Sequence, residues 1–143
     1  MKAEELMIGD WVIVYEKAMP VKAMVDGVYG NNAFVLGHQR TVENGFVEPI
    51  RLTPEILEKN GFKYDGSGQR SMMLMTPHGE SGTRWNIYVG LKHKTIDVFS
   101  APPVEKSPGW RKHNKVYLEV CGCYVHELQH ALRMCGIDKT IEL

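Results

Sequence analysis

At 143 residues the chain is long enough for one compact domain, or for a small module joined to a larger one. Hydrophobic residues make up 43% and charged ones 24%, an ordinary balance between core and surface. Seventeen basic side chains match seventeen acidic ones, so no global field draws the protein to nucleic acid or an anionic membrane; only a local patch could. The opening Met1-Lys2-Ala3-Glu4-Glu5-Leu6 is acidic and lacks the apolar run of a signal peptide. The longest apolar run is too short to span a bilayer. Three cysteines without scaffold spacing suit a reducing compartment, so a cytoplasmic protein free of membrane is expected.

Residues 1–50 read as short strands separated by turns. Trp11 to Tyr15 is β-branched and aromatic, preceded by the turn pair Gly9-Asp10. A second strand is expected at Val21 to Val25, closed by Asp26-Gly27. A third follows the Gly30-Asn31-Asn32 turn at Ala33 to Leu36, and a fourth ends near Phe46-Val47. Strands of this length and spacing suggest a small SH3-like β-barrel. Residues 51–143 then read as an α+β module, separate or joined to the first in one compact domain. Its helix opens with Thr53 as N-cap and Pro54 at the first helical position. Asn60-Gly61 ends that helix, and Phe62 is placed to fold back on Leu57 as in a Schellman cap.

An antiparallel sheet is expected next, from strands at Met72 to Met75, Trp85 to Lys92, Thr95 to Phe99 and Val116 to Val120. Met72, Met73 and Met75 read as core filler. Lys92-His93-Lys94 reads as a solvated hairpin turn, and the prolines and glycine between 102 and 109 as a long connection. The stretch Trp110 to Lys115 mixes an aromatic with basic groups, which some nucleic-acid surfaces do, but a loop entering a strand explains it as well. A C-terminal helix runs from about Val125 to Cys135, with Gly136 and Ile137 repeating the first helix's ending. The fold class is therefore α+β. No phosphate loop, dinucleotide fingerprint or nucleophile elbow is present.

His126-Glu127-Leu128-Gln129-His130 satisfies H-E-x-x-H. On a helix the two histidines would share a face and could bind zinc, with Glu127 acting on a metal-bound water. Cys121 and Cys123, whose alternation puts both thiols on one strand face, could join His126 and His130 in a Cys2His2 set. Against both readings stands the apolar stripe Val125, Leu128, Leu132 and Cys135, which must face the sheet. Both imidazoles are then expected to point to solvent, where no dry cavity shields a metal. A third hydrolase ligand is also hard to find: among the thirteen residues after His130 only Asp138 and Glu142 are carboxylates, and Arg133 stands where the metzincin extension has its glycine. The favoured reading is a structural helix with no metal or other cofactor. A zinc-dependent hydrolase is the alternative.

The segment Glu4-Glu5-Leu6-Met7-Ile8-Gly9-Asp10-Trp11-Val12 resembles the opening EELRIGNYV of a group of small uncharacterised proteins from Bacteroides-type bacteria and their phages or prophages. The stretch Val47 to Leu57 followed by Asn60-Gly61-Phe62 is similar to their middle pattern PIPLTEEWLLKFGF. Tyr124 to Gln129 resembles their C-terminal YVHELQN or YVHQLQN. The group has no assigned activity, so the resemblance implies no catalytic residues. It carries Asn where this chain has His130, and often Gln where it has Glu127, which implies that H-E-x-x-H is particular to this chain. The expectation is a non-catalytic binding or accessory protein of phage or mobile-element origin. Its partner would be a protein or a nucleic acid, and a homo-oligomer is compatible with it.

Overall fold

The computed structural model describes residues 1–64, 66, 71–75, 84–101, 114–118, 122–137 and 139–143. Among them the chain is mixed α+β and built on two five-stranded antiparallel sheets. It divides into two units: Met1–Arg51 with Tyr124–Gln129, and Leu52–Cys123 with His130–Leu143.

In the first unit, strands β1 (Trp11–Glu16), β2 (Met19–Tyr29), β3 (Asn32–Val35), β4 (His38–Thr41) and β5 (Val47–Pro49) line up in the order β4-β3-β2-β1-β5. Alternation decides which face goes inside. Val12 and Val14 are fully buried on β1 while Trp11 and Ile13 are half-buried on its other face. Ala23, Val25, Ala33, Val35, Val42 and Val47 join them, with Ala3 and Leu6 from a 3-10 turn at Ala3–Glu5 covering one end. The sheet curls around this core as half of a barrel, because β5 returns to the free edge of β1, pairing Val12 with Pro49 and Val14 with Val47. Asp10 is wholly buried and its carboxylate accepts the Met7 N–H at 2.7 Å, which fixes the chain entering β1.

Two expectations for this unit are corrected. Asp26-Gly27 is not a turn but a β-bulge: the pairing register shifts between Val25 and Gly27, and β2 continues to Tyr29. A bulge takes the same residues as a turn because both need one position out of the pleat. The single fourth strand is instead two, β4 and β5, separated by a π-helical turn at Val42–Phe46 that puts Gly45 at φ 73°. The β1–β2 hairpin turns on Lys17 and Ala18, both at positive φ (49° and 65°), a geometry usually given to Asn-Gly.

In the second unit, helix α1 (Pro54–Lys59) forms as its caps predict. The Thr53 hydroxyl accepts the Ile56 N–H at 3.3 Å. A hydrogen bond from Thr53 and one from its own backbone hold the Glu55 carboxyl below the usual carboxylate range. At the other end Phe62 N–H reaches Leu57 C=O at 3.0 Å and Gly61 N–H reaches Glu58 C=O at 3.0 Å, the two bonds of a Schellman motif, with Gly61 at φ 86°. Asn60, almost wholly buried, donates to the carbonyls of Ile56 (2.7 Å) and Glu142 (2.8 Å) and accepts the Glu142 N–H (3.0 Å).

Strands β6 (Lys63–Tyr64), β7 (Ser71–Met75), β8 (Arg84–Gly90), β9 (Thr95–Ala101) and β10 (Asn114–Leu118) form a simple meander in sequence order. Met72, Ile87, Val89, Ile96 and Val98 are buried on one face. Of the three methionines read as core filler only Met72 is buried; Met73 is half-buried and Met75 is exposed, as alternation along one strand requires. Leu91 to Lys94 form the hairpin turn. The connection at 102–109, the first four residues of the aromatic and basic stretch (110–113) and Cys121 lie outside the described residues. The last element is helix α2 (Val125–Met134). Among the described residues no helix is long and apolar enough to cross a membrane.

Candidate functional site

The H-E-x-x-H string does lie on a helix. The chain enters α2 through a bridge between Arg51 and Tyr124 and a hydrogen bond from Val125 N–H to Ile50 C=O (2.8 Å). Tyr124 is the residue before the first helical turn, and its carbonyl accepts the Leu128 N–H. Glu127, three residues on, turns back so that its carboxylate accepts the Tyr124 N–H at 2.8 Å. That is one half of a capping box, the half the Glu supplies; a tyrosine has no short oxygen to complete the other. The helix ends on a second Schellman motif, with Ile137 N–H to Leu132 C=O (2.9 Å), Gly136 N–H to Arg133 C=O (2.9 Å) and Gly136 at φ 67°.

Val125, Leu128 and Leu132 are buried, as their spacing predicts, and Ala131 with them. The expectation that both imidazoles face solvent is corrected. His126 is only 3% exposed and stacks on the Tyr124 ring, centroids 5.7 Å apart and planes 10° from parallel. His130 is half-buried. The apolar stripe is only part of what α2 buries: at about 100° per residue the buried positions from Val125 to Leu132 sweep an arc of roughly 220°. Gln129 widens it. Its side-chain amide donates to Gly9 C=O at 2.9 Å and accepts Trp11 N–H at 3.0 Å, in the manner of a strand's peptide group. Sequence reasoning passed over Gln129; the only signal was an uncharged polar residue beside the stripe.

Glu127 and His126 fall in the first unit, Cys123 and His130 in the second. Cys123 is buried at φ 58°, its thiol 3.7 Å from the Thr95 carbonyl. Among the described residues no three His, Cys, Asp or Glu side chains are grouped so as to hold a metal ion. Burial pushes the Cys135 thiol up to about 11, which favours its protonated form at neutral pH.

A second place in the molecule gathers chemistry. On the face of the second sheet opposite its core, Ser71, Asn86, Tyr88, Asp97 and Phe99 line an open cleft of about 280 Å³. Pairing across β8 and β9 sets Tyr88 opposite Asp97 and Asn86 opposite Phe99. The Tyr88 and Phe99 rings meet edge to face, centroids 5.5 Å apart at 89°. The Asn86 Oδ1 is buried and accepts no hydrogen bond among the described residues. Asn86 and Tyr88 alternate with the buried Ile87 and Val89 along β8, but a strand pattern alone does not say what its neighbours bring to that face.

No protein-family model, curated protein sequence or solved structure matches the chain.

Proposed function

We propose that this chain is a non-catalytic binding or accessory protein of phage or mobile-element origin, acting through a protein or nucleic-acid partner. The origin rests on the motif resemblance alone. The role rests on one observation: the carboxylate a zinc hydrolase would need beside its water is engaged in holding the start of α2, at 2.8 Å from the Tyr124 N–H. The neighbouring His126 is packed against a ring and Gln129 ties the helix to backbone. The finer reading of the first unit is an SH3-like barrel. It is supported by the β4-β3-β2-β1-β5 order, the bent β2 and the helical turn just before β5. Such a fold serves binding to many partners and fixes none of them.

The alternative is a zinc-dependent hydrolase with Glu127 as base, ligated by His126 and His130 or with Cys121 and Cys123 as further ligands. The i, i+4 spacing on an observed helix favours it. Metal analysis separates the two. Protein dialysed against a mild chelator should hold well under one zinc per chain. A full equivalent that survives, lowers the melting temperature on removal, and supports peptide hydrolysis lost in Glu127→Gln would overturn the proposal.

A further inference from the structure

We infer that Asn60-Gly61 is a modification site: the pair deamidates when the tail at 139–143 lifts off the end of α1, and the product keeps the tail from docking again. An asparagine side chain is most open to attack by the next backbone nitrogen when glycine follows it, because glycine has no Cβ to crowd the approach. The Gly61 nitrogen gives its proton to hydroxide and bonds to the Asn60 Cγ. The Cγ–Nδ2 bond breaks, and Nδ2 leaves as ammonia with a proton from water, which returns the hydroxide. Water then opens the succinimide to aspartate or isoaspartate, so solvent is the only co-reactant.

In the folded protein both reacting groups are held. Asn60 is 1% exposed. Its Nδ2 donates to Ile56 C=O at 2.7 Å and to Glu142 C=O at 2.8 Å, and its Oδ1 accepts the Glu142 N–H at 3.0 Å. The Gly61 N–H is engaged with Glu58 C=O at 3.0 Å. Two of the three side-chain bonds run to Glu142, so the tail is the larger part of what holds the amide. The described tail residues form no helix or strand. They are fixed by the fully buried Ile141, by Lys139 Nζ donating to Asn60 C=O, and by Leu143 C=O accepting from Lys59 Nζ at 3.0 Å. A segment held by a few contacts opens more often than a core strand, and the rate at Asn60 is the intrinsic rate multiplied by the fraction of time the tail is lifted. The reaction makes the release one-way. A carboxylate has no N–H for the Ile56 and Glu142 carbonyls, and both lose their donor. Isoaspartate also adds a methylene to the main chain where α1 closes on Gly61 at φ 86°.

The test ages the full chain in mildly alkaline buffer and follows Asn60 and Asn44 by peptide mapping with mass spectrometry. Hydrogen exchange at the Glu142 N–H is measured in parallel. Both sites read Asn-Gly-Phe, so in strong urea they should react alike. In the folded chain Asn60 should be slowed by the same factor as Glu142 exchange, within about threefold. Ile141→Ala removes the buried anchor and none of the reacting atoms; it should speed both processes at least about tenfold, while the β8 and β9 amides keep their protection. In the aged product the Glu142 N–H should exchange freely. Reaction at Asn60 as fast in the folded chain as in urea would overturn the inference, as would an aged product with Glu142 still protected. Suppression at Asn60 equal to that of the β8 and β9 amides would also overturn it, because global unfolding would then be the gate. Should Ile141→Ala unfold the chain, a low-urea series on the unaltered protein decides: Asn60 reaction must track Glu142 exchange rather than the strand amides.

Discussion

The first half of α2 carries polar tethers to backbone groups, and the second half carries buried apolar side chains and a Schellman ending. From Val125 to Gln129 the helix is tied down by polar groups: Glu127 caps the Tyr124 N–H, Gln129 bridges Gly9 and Trp11, and His126 stacks on Tyr124. From His130 to Met134 the buried side chains are Ala131 and Leu132, Arg133 and Met134 are exposed, and the end carries the backbone bonds of the Schellman motif. Burial runs through both halves, and in the first it is joined by the bonds of Glu127 and Gln129. Two of the three residues that spell the metalloprotease motif, His126 and Glu127, lie in this first half and make such contacts. A glutamate that fits a catalytic spelling also fits a helix cap, because a cap position favours the same carboxylate side chain.

The largest effect should come from what the halves share. Leu128→Ala and Leu132→Ala should each leave a cavity and cost about 2–5 kcal/mol in urea melts. If only one does, burial is not continuous along the helix and the contrast needs another basis. Next, Gln129→Leu should cost about 2 kcal/mol, because it keeps bulk but strands the Gly9 carbonyl and the Trp11 N–H. Amide exchange at Trp11 would report the lost bond directly, and unchanged protection there would break the comparison on its polar side. The smallest effect is at the cap. Glu127→Ala should cost about 1 kcal/mol and Glu127→Gln no more than about half that, since an amide oxygen still accepts from Tyr124. Met134→Ala in the exposed last turn should change stability by less than about 0.5 kcal/mol. If Glu127→Ala is as mild as Met134→Ala, the carboxylate is not holding the helix and its role must be sought elsewhere.

Features whose partners lie close in sequence were legible before any coordinates. The cap at Thr53, both Schellman endings, the β8 alternation, the Lys92 to Lys94 turn and the Val125, Leu128, Leu132 stripe each depend on groups within a few residues of one another. Where two local structures accept the same residues, reading went astray: Asp26-Gly27 suited a turn and became a bulge, and Val42–Phe46 became a π-helical turn instead of strand.

Only the tertiary structure decided the rest, since those bonds join residues far apart in the chain. Gln129 meets Trp11 and Gly9 across 118 and 120 positions, and Asn60 meets Glu142 across 82. Asn60 was readable as a helix ending, but nothing near it announced the tail that its amide would bind. His126 belonged by spacing to the solvent side of a helix with one buried face, and became buried because α2 is covered over a much wider arc. The cleft likewise exists only because the β8–β9 register sets Asn86 beside Phe99 and Tyr88 beside Asp97. Local sequence carries the short-range hydrogen bonds and the period of burial; which distant groups share a face follows from strand order and register, which no short segment specifies by itself.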